Sequence, residues 1–251
     1  MKRYFIEVAY DGSEFGGFQI QANQQTIQGA LENALKILFR ENIPLTGASR
    51  TDAGVHALQN FLHFDTTISL TSKHIYNLNA LLPNSIVVNN IFGVPNDAHS
   101  RFDAIKRSYI YKIHSKKSPF LDGRSWFYPF PLNVLALQEA ADTLLMHTDF
   151  ESFSKKNTTV NTFECNISKA KWIQQGDIIT FNIDSNRFLR GMIRGLVGTM
   201  VHCGRGQLNT ADFITIIESK NEQKVDFSTP AHGLYLSEIK YPDYFQKLVN
   251  S

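Results

Sequence analysis

The chain has 251 residues, of which 43% are hydrophobic, and a formal net charge of +2 at pH 7. This length and composition can bury a sizeable core, which excludes a disordered chain and fits one large or two small domains. There is no long apolar run and no signal-peptide pattern, so we expect a soluble cytoplasmic protein that does not enter a membrane. Cys165 and Cys203 are far apart without a CxxC pattern, so we expect two buried thiols and no metal site.

The first hundred residues alternate between strand and helix patterns. In chain order they predict strand 3–10, glycine-rich loop 11–19, helix 26–39, strand 56–66, helix 71–82 and strand 85–94. Thr26 is a candidate N-cap of the first helix. Apolar residues at helical spacing define the buried face of that helix: Ile27, Leu31, Ala34, Leu35 and Leu38.

The second half repeats the pattern with more strands. We predict strand 104–114, helix 133–146, strands 163–173 and 177–184 around Gly176, helix 187–203, a helix capped near Asn209 or Thr210, and strand 234–241. Helices segregated between antiparallel strands indicate an α+β fold. We place the boundary at 95–103, giving halves 1–100 and 101–251. Because no linker separates them, we expect one mixed, mostly antiparallel sheet with a cleft at the junction.

Positive charge is concentrated in two stretches. From Arg101 to Arg124 there are seven Lys or Arg residues against two Asp, and from Arg187 to Arg205 there are four arginines and no acid. Such stretches are often solvated basic faces, but their clustering favours a polyanionic partner.

The segment 47-GASRTDAGVHAL-58 places Asp52 among small residues, between Arg50 and His56. An aspartate in a glycine-rich turn is usually a turn former. Here it lies at the entry to a strand, where sites are often built, and Arg50 is close enough to face the same cavity. His56 fits a structural hydrogen-bonding role better than a catalytic one.

Two further stretches combine aromatic or arginine residues with regular spacing. Tyr109 and Tyr111 share one strand face beside Arg107, so they are either core residues or a stacking platform for a base. On the predicted helix 187–203, arginines at i, i+3 and i+7 form one stripe, namely Arg187, Arg190 and Arg194. Gly191, Gly195 and Gly198 in the same segment predict close packing against a strand or a ligand.

These stretches, in this order, resemble the tRNA pseudouridine synthase A family. The resemblance extends from about Arg3 to Tyr241. The matching motifs are Gly47 with 50-RTDAGVHA-57, then Arg107, Tyr109 and Tyr111, then Phe188, Met192, Arg194 and 197-VG-198. Shorter matches are 10-YDGSEFGGFQ-19, 79-NALLPNSIVV-88 and 230-PAHGLYL-236. Ser49, Ser108 and Asn60 depart from residues common in the family, which affects the affinity for RNA and not the reaction.

The resemblance implies a pseudouridine synthase fold and an isomerase that needs no cofactor and no metal. Asp52 would be the catalytic aspartate, Tyr109 would stack on the flipped uracil, and Arg194 would pair with Asp52. RNA contacts would come from Arg50, which helps to extrude the nucleotide, and from Arg107, Tyr111, Arg187 and Arg190.

The implied partners are a second copy of the chain, as a homodimer, and tRNA. The targets would be uridines at positions 38, 39 and 40 of the anticodon stem-loop. Two other functions stay open on the residues alone. One is a non-catalytic RNA-binding module. The other is a hydrolase that uses Asp52 and His56 as an acid–base pair.

Overall fold

The computed structural model describes residues 1–155 and 161–243. The chain divides into two compact units. The first contains Met1–Lys106 together with the C-terminal segment from Tyr235, and the second contains Arg107–Leu234. The described residues form nine strands and five α-helices, with mostly antiparallel strand pairs. This confirms the predicted mixed, mostly antiparallel α+β class. No helix within the described part of the chain is long and apolar enough to cross a membrane.

The first unit is built around a central strand with antiparallel neighbours on both sides. Its elements are β1 (Lys2–Tyr10), α1 (Ile27–Phe39), β2 (Thr46–Gly47), β3 (His56–Thr66), α2 (Ser72–Leu81) and β4 (Ile86–Val94). Strand β1 lies between β3 and β4, with Ile6 opposite Leu62 on one side and Ile91 on the other. The short strand β2 pairs with β3.

Helix α1 follows the predicted boundaries because its N-cap and its apolar face agree. Thr26 is in an extended conformation and its hydroxyl accepts from the backbone N–H of Gly29 at 3.2 Å. Ile27, Leu31, Ala34 and Leu35 are buried as predicted, while Leu38 is only partly buried. The helix packs beside α2, which in turn packs on β4.

The described part of the second unit contains four strands and three α-helices. They are β5 (Lys106–His114), β6 (Trp126–Phe127), α3 (Val134–Thr143), β7 (Ile167–Gln175), β8 (Ile178–Ser185), α4 (Met192–Gly204) and α5 (Thr210–Glu218). Strand β8 is antiparallel to both β5 and β7, and β6 runs parallel to β5. The turn between β7 and β8 uses Gly176 at a φ of 59°.

The helices of the second unit pack against each other and against the edge of its strands. Helix α3 contacts β7, α4 and α5. Asn133 caps α3 by accepting from Leu135 N at 3.0 Å, and Asn209 caps α5, as predicted. The predicted helix 133–146 is α3 followed by a short 3-10 turn at Leu144–Met146.

The last strand, β9 (Leu234–Lys240), belongs mainly to the first unit. It runs parallel to β3, with His56 opposite Tyr235 and Ala57 opposite Leu236. Sequence order alone assigned this strand to the C-terminal half. The chain thus returns to the unit in which it began, next to the segment that carries Asp52.

Both cysteines are buried free thiols, as predicted. Burial raises the pKa of the Cys165 and Cys203 thiols to about 11, so both are protonated at neutral pH. A protonated buried thiol is a poor nucleophile and a poor metal ligand, which leaves these two side chains with a packing role.

Candidate active site

Asp52 lies in the loop between β2 and β3, at the point where β3 begins. The residue is neither sealed in the core nor fully exposed, and Arg50 is exposed. A tight turn follows the aspartate, because the N–H of Val55 donates to the Asp52 carbonyl at 3.1 Å and Gly54 adopts a φ of 76°. The turn directs the chain into β3 directly after Asp52.

The glycine-rich loop 11–19 packs closely against this turn. A Cβ at Gly17, which has a φ of 106°, would lie 3.1 Å from the Thr51 carbonyl oxygen. A Cβ at Gly12 would lie 2.1 Å from the carbonyl oxygen of Val55, which is too close for any side chain. The N–H of Phe18 donates to the Thr51 carbonyl at 3.0 Å. The glycines therefore allow two backbone segments to meet beside Asp52.

Buried polar side chains hold the part of the loop that leads into Asp52. The Tyr10 and Thr51 hydroxyls are 2.8 Å apart in a buried hydrogen bond. Asn60 Nδ2 donates to the Ser49 carbonyl at 3.0 Å. Asn60 is fully buried, so these bonds replace water that the loop would otherwise need.

From the sequence, Asn60 is only a departure from the family pattern, and its supporting role was missed. One signal was present in the sequence. An amide side chain followed by the apolar residues Phe61 and Leu62 of a predicted strand is costly to bury unless it forms hydrogen bonds.

His56 has structural contacts in the first unit. Its ring is buried and stacks on Tyr235 with centroids 4.6 Å apart. Its Nδ1 lies 3.2 Å from the donating N–H of Gly12 and 3.1 Å from Asp11 Oδ1. These contacts tie the glycine-rich loop to the start of β3, and they favour the structural interpretation of His56 over an acid–base role.

Tyr109 and Tyr111 point to the same side of β5 but differ in their surroundings. Tyr109 is 8% exposed and meets the ring of Phe188 edge-on at 5.2 Å. Tyr111 is 0% exposed, and its hydroxyl donates to the Pro230 carbonyl at 2.7 Å. Burial raises the pKa of Tyr111, opposed in part by Arg194. Tyr111 has no surface with which to stack on a base, so the structure gives it a supporting role instead of the expected RNA contact.

Arg107 is also less accessible than the sequence suggested. It is 9% exposed, and its Nη1 donates to the Asn186 carbonyl at 2.9 Å. This bond ties the start of β5 to the segment that leaves β8. A guanidinium has five N–H donors, so the bond accounts for part of its capacity only.

The predicted arginine stripe is wrong, because the helix begins at Met192 and not at residue 187. Gly191 precedes it with a φ of 75°, a left-handed conformation that interrupts the helical pattern. Arg187 is partly exposed and Arg190 is exposed, and both lie in the segment before the helix. The carbonyl of Arg190 accepts from Lys155 N at 3.1 Å.

Arg194 lies in the first turn of α4 and is partly exposed. Its Nε–H donates to the Thr229 carbonyl at 2.7 Å. The Thr229 hydroxyl in turn donates to the Arg194 carbonyl at 2.9 Å. The guanidinium is thus held by a segment 35 residues further along the chain.

The glycines of α4 explain how that segment comes so close. A Cβ at Gly198 would lie 2.3 Å from the Asp226 carbonyl oxygen, and one at Gly195 would lie 2.8 Å from Phe227. The predicted close packing is therefore present at two of the three glycines. Its partner is the loop before β9 and not a strand or a ligand.

Comparison with known proteins identifies the family. A family model described as tRNA pseudouridine synthase matches residues 6–103 and 140–242. The chain belongs to the tRNA pseudouridine synthase family. The match includes the Asp52 loop in the first unit and α4 with Arg194 in the second.

Several curated tRNA pseudouridine synthase A proteins are similar over almost the whole chain. The one from Parabacteroides distasonis is 44% identical over 249 residues, covering 97% of each chain. The one from Azobacteroides pseudotrichonymphae is 43% identical over 252 residues, covering 98% of this chain and 100% of its own. The Staphylococcus aureus MRSA252 protein is 35% identical over 240 residues, with 94% and 91% covered. The sequence-based resemblance is confirmed.

Pseudouridine synthases are isomerases, and their reaction defines what the site must supply. The N1–C1′ bond of uridine breaks, the base turns over, and a new bond forms between C5 and C1′. No net redox change or hydrolysis occurs. A carboxylate with access to a nucleotide, an aromatic surface and a cation are the groups that such a reaction can use. This family member contains a candidate for each: Asp52 in the first unit, and Tyr109 and Arg194 in the second.

Proposed function

We propose that the chain isomerises uridine to pseudouridine in tRNA, at positions 38, 39 and 40 of the anticodon stem-loop, with Asp52 as the catalytic carboxylate. The observation that carries the proposal is the support given to Asp52. Its loop is held by Tyr10, Asn60 and the close approach of Gly17, yet the aspartate is partly exposed. A side chain fixed by its backbone and open at one side is suited to meet a substrate.

In this proposal, base flipping precedes the chemistry. A uridine inside a stem is inaccessible, so the enzyme must evert it at a cost of a few kcal/mol, which stacking and phosphate contacts offset. We assign stacking on the uracil to Tyr109 and extrusion of the nucleotide to Arg50. The exposure of Arg50 and Arg190 and the partial exposure of Arg187 support roles in holding RNA.

We assign to Arg194 the stabilisation of the ionised Asp52. A bound base would displace water from the carboxylate, and this loss of hydration disfavours the ionised form. A nearby guanidinium favours the ionised form and so counteracts the loss. Arg107 stays a candidate RNA contact. Tyr111 is removed from the set of RNA contacts because it is fully buried. No cofactor takes part in the proposed reaction.

The proposed partners are tRNA and a second copy of the chain, and we propose the cytoplasm as the site of action. The names of the relatives support tRNA as the substrate. Recognition of three neighbouring positions favours reading of RNA shape and flexibility over a base-edge code, which suits arginines better than amides.

The test uses unmodified tRNA transcripts and the purified protein without added cofactor. Pseudouridine is detected by carbodiimide treatment and primer extension, and we expect new stops at positions 38 to 40. The Asp52→Asn variant should give no stops and still bind tRNA, while the matched Asp97→Asn variant, at an exposed carboxylate of the same unit, should behave as wild type. Absence of new stops with the wild-type protein would refute the proposed function.

A further inference from the structure

Arg194 is held by two reciprocal hydrogen bonds to one residue. Its Nε–H donates to the Thr229 carbonyl at 2.7 Å, and the Thr229 hydroxyl donates to the Arg194 carbonyl at 2.9 Å. Thr229 is 0% exposed. One bond thus fixes the guanidinium and the other fixes the backbone from which the side chain extends.

The peptide that follows is tied to the strands of the same unit. Tyr111 on β5 donates its hydroxyl proton to the Pro230 carbonyl at 2.7 Å. The Tyr111 ring also packs directly against Gly233. A Cβ at Gly233 would lie 2.6 Å from Tyr111 Cζ, so there is no space for a side chain at that position. The loop that holds Arg194 is therefore anchored at Pro230 by a fully buried hydroxyl.

We propose that Thr229 and Tyr111 are positioning residues for the proposed isomerisation, and that they act by fixing the plane of the Arg194 guanidinium. The inference rests on the proposed function. It adds two residues that touch no reacting atom.

The physical reason lies in the flexibility of arginine. A partly exposed arginine samples many rotamers, and only some of them place its charge usefully. A bond at Nε fixes the orientation of the guanidinium plane and leaves the terminal donors available for other partners. Charge that is already oriented needs no rearrangement when the transition state forms.

A purely structural role is the competing explanation, since both hydroxyls are buried and removing them costs stability. The two explanations predict different reaction rates for each folded enzyme molecule. Loss of stability reduces the folded fraction at high temperature, whereas loss of positioning slows the chemical step at temperatures where every molecule is folded.

The first test compares Thr229→Val with Thr229→Ser. Valine keeps the shape and the backbone carbonyl that accepts from Arg194 Nε, but it removes the hydroxyl that holds the Arg194 backbone. Serine keeps both groups. We expect Thr229→Val to lower the single-turnover rate at saturating enzyme by about 10-fold with the tRNA Kd unchanged. Thr229→Ser should recover the rate to within about threefold of wild type. The matched control is Thr143→Val, because the Thr143 hydroxyl is also buried and donates to a carbonyl, that of Ala140, at 2.7 Å.

The second test removes the anchor. Tyr111→Phe should lower the single-turnover rate by about fivefold with unchanged Kd. The control is Tyr241→Phe, which removes a similar buried bond from a tyrosine hydroxyl to the Ser100 carbonyl, 2.6 Å long, in the first unit. In an Arg194→Lys background, where no Nε exists, Tyr111→Phe should have no further effect on the rate.

A readout that does not depend on activity completes the design. The ¹⁵Nε–H signal of Arg194, assigned by its loss in Arg194→Lys, should show high order in the wild type and increased mobility in Thr229→Val. Melting temperatures confirm that each variant is folded under the assay conditions.

The outcomes separate the two proposals. If wild type forms no pseudouridine, the proposed function fails and this inference fails with it. If wild type is active and Arg194→Lys is slow, but Thr229→Val and Tyr111→Phe react at the wild-type rate, only the positioning inference is overturned. It is also overturned if the two variants lower the melting temperature alone, or if the Tyr111→Phe effect persists in full in the Arg194→Lys background.

Discussion

The loop that carries Asp52 and the helix that carries Arg194 are both held by buried polar groups, but at different points. In the first unit the bonds reach two residues just before the aspartate in the chain, through Tyr10 to Thr51 and through Asn60 to Ser49. In the second unit a bond reaches the guanidinium itself. A carboxylate that must react is best fixed through its backbone, whereas a guanidinium with five donors can use one of them for support.

The largest effect should follow from removing the charge at Asp52. We expect Asp52→Asn to lower the rate of pseudouridine formation by at least about 10⁴-fold, as for loss of an essential catalytic group. Arg194→Lys keeps a positive charge and should lower it by only about 10- to 100-fold. Single-turnover kinetics on one tRNA transcript measures both. Equal losses in the two variants would remove the difference in role assigned to the two side chains.

The next effect concerns stability, and it should be similar in the two regions. Gly12→Ala and Gly198→Ala would place a Cβ 2.1 Å and 2.3 Å, respectively, from a backbone carbonyl oxygen. Each clash is between two backbone segments, and neither segment can move away easily. Each substitution should therefore lower the free energy of unfolding by about 2–4 kcal/mol. Urea unfolding at pH 7 measures this.

Gly93→Ala is the control for both glycines. Its added Cβ would approach no atom closer than 3.9 Å, an ordinary contact with Tyr4. We expect a change of less than about 0.5 kcal/mol. A stable Gly198→Ala variant would show that the loop before β9 can move away from α4, which would weaken the account of how Arg194 is held.

Much of this architecture could be predicted from the sequence because local signals agreed with each other. The Thr26 cap and the apolar face of α1 predicted where that helix begins, and the strand predicted at 56–66 is β3 with its observed bounds. The start of α4 could not be predicted, because apolar spacing continues through 187–191 and nothing in the sequence marks Gly191 as left-handed. The two-residue spacing of Tyr109 and Tyr111 on β5 predicted that both side chains lie on one face of the strand. That spacing could not show that the loop before β9 covers Tyr111.

The candidate site was predicted in part, and for a related reason. Motif spacing identified Asp52, Tyr109 and Arg194 through a family resemblance that the comparisons confirm, while their roles stay a proposal. The residues that support them were missed, since Asn60 and Thr229 act through hydrogen bonds to backbone atoms. Such bonds depend on tertiary structure and leave no periodic pattern in the sequence.

A smaller effect is expected from pH, at His63 in the first unit. Burial, with nearby His99 and Arg3, lowers the pKa of His63 from 6.5 to about 4, although Asp65 and Asp103 oppose the shift. Nδ1 lies 2.8 Å from the Ser100 hydroxyl and 3.2 Å from the Ser100 N–H, and burial beside these groups disfavours the charged ring. The unfolded chain binds a proton below about pH 6.5 while the folded chain does not, so stability falls between pH 6.5 and pH 4.

His63→Gln tests this contribution. We expect wild type to lose about 1–2 kcal/mol more than His63→Gln between pH 7 and pH 4.5, once screening by solvent is allowed for. Urea unfolding at the two pH values gives the difference, and the comparison within each protein cancels the cost of the substitution itself. An identical pH dependence in both proteins would show that His63 is charged in the folded state or accessible to protons.

The smallest effect is expected from Tyr10→Phe, and it sharpens the comparison between the two supports. The Tyr10 hydroxyl contacts Thr51 at 2.8 Å and accepts from Asn60 Nδ2 at 3.4 Å. The same loop is also held by the Asn60 bond to Ser49, by the close approach of Gly17 and by the Phe18 N–H. Because other contacts still hold the loop, loss of the Tyr10 hydroxyl should slow the reaction by no more than about threefold. This corresponds to an increase of less than about 1 kcal/mol in the activation free energy.

In the second unit the Tyr111 hydroxyl holds the Pro230 carbonyl through a hydrogen bond. We therefore expect Tyr111→Phe to slow the reaction more than Tyr10→Phe does. Single-turnover rates of Tyr10→Phe and Tyr111→Phe, measured side by side with the tRNA Kd, decide the order. If Tyr10→Phe is the slower enzyme, the Asp52 loop depends on its tyrosine more than on its glycine contacts. The carboxylate would then be positioned by a single bond, in the same way as the guanidinium.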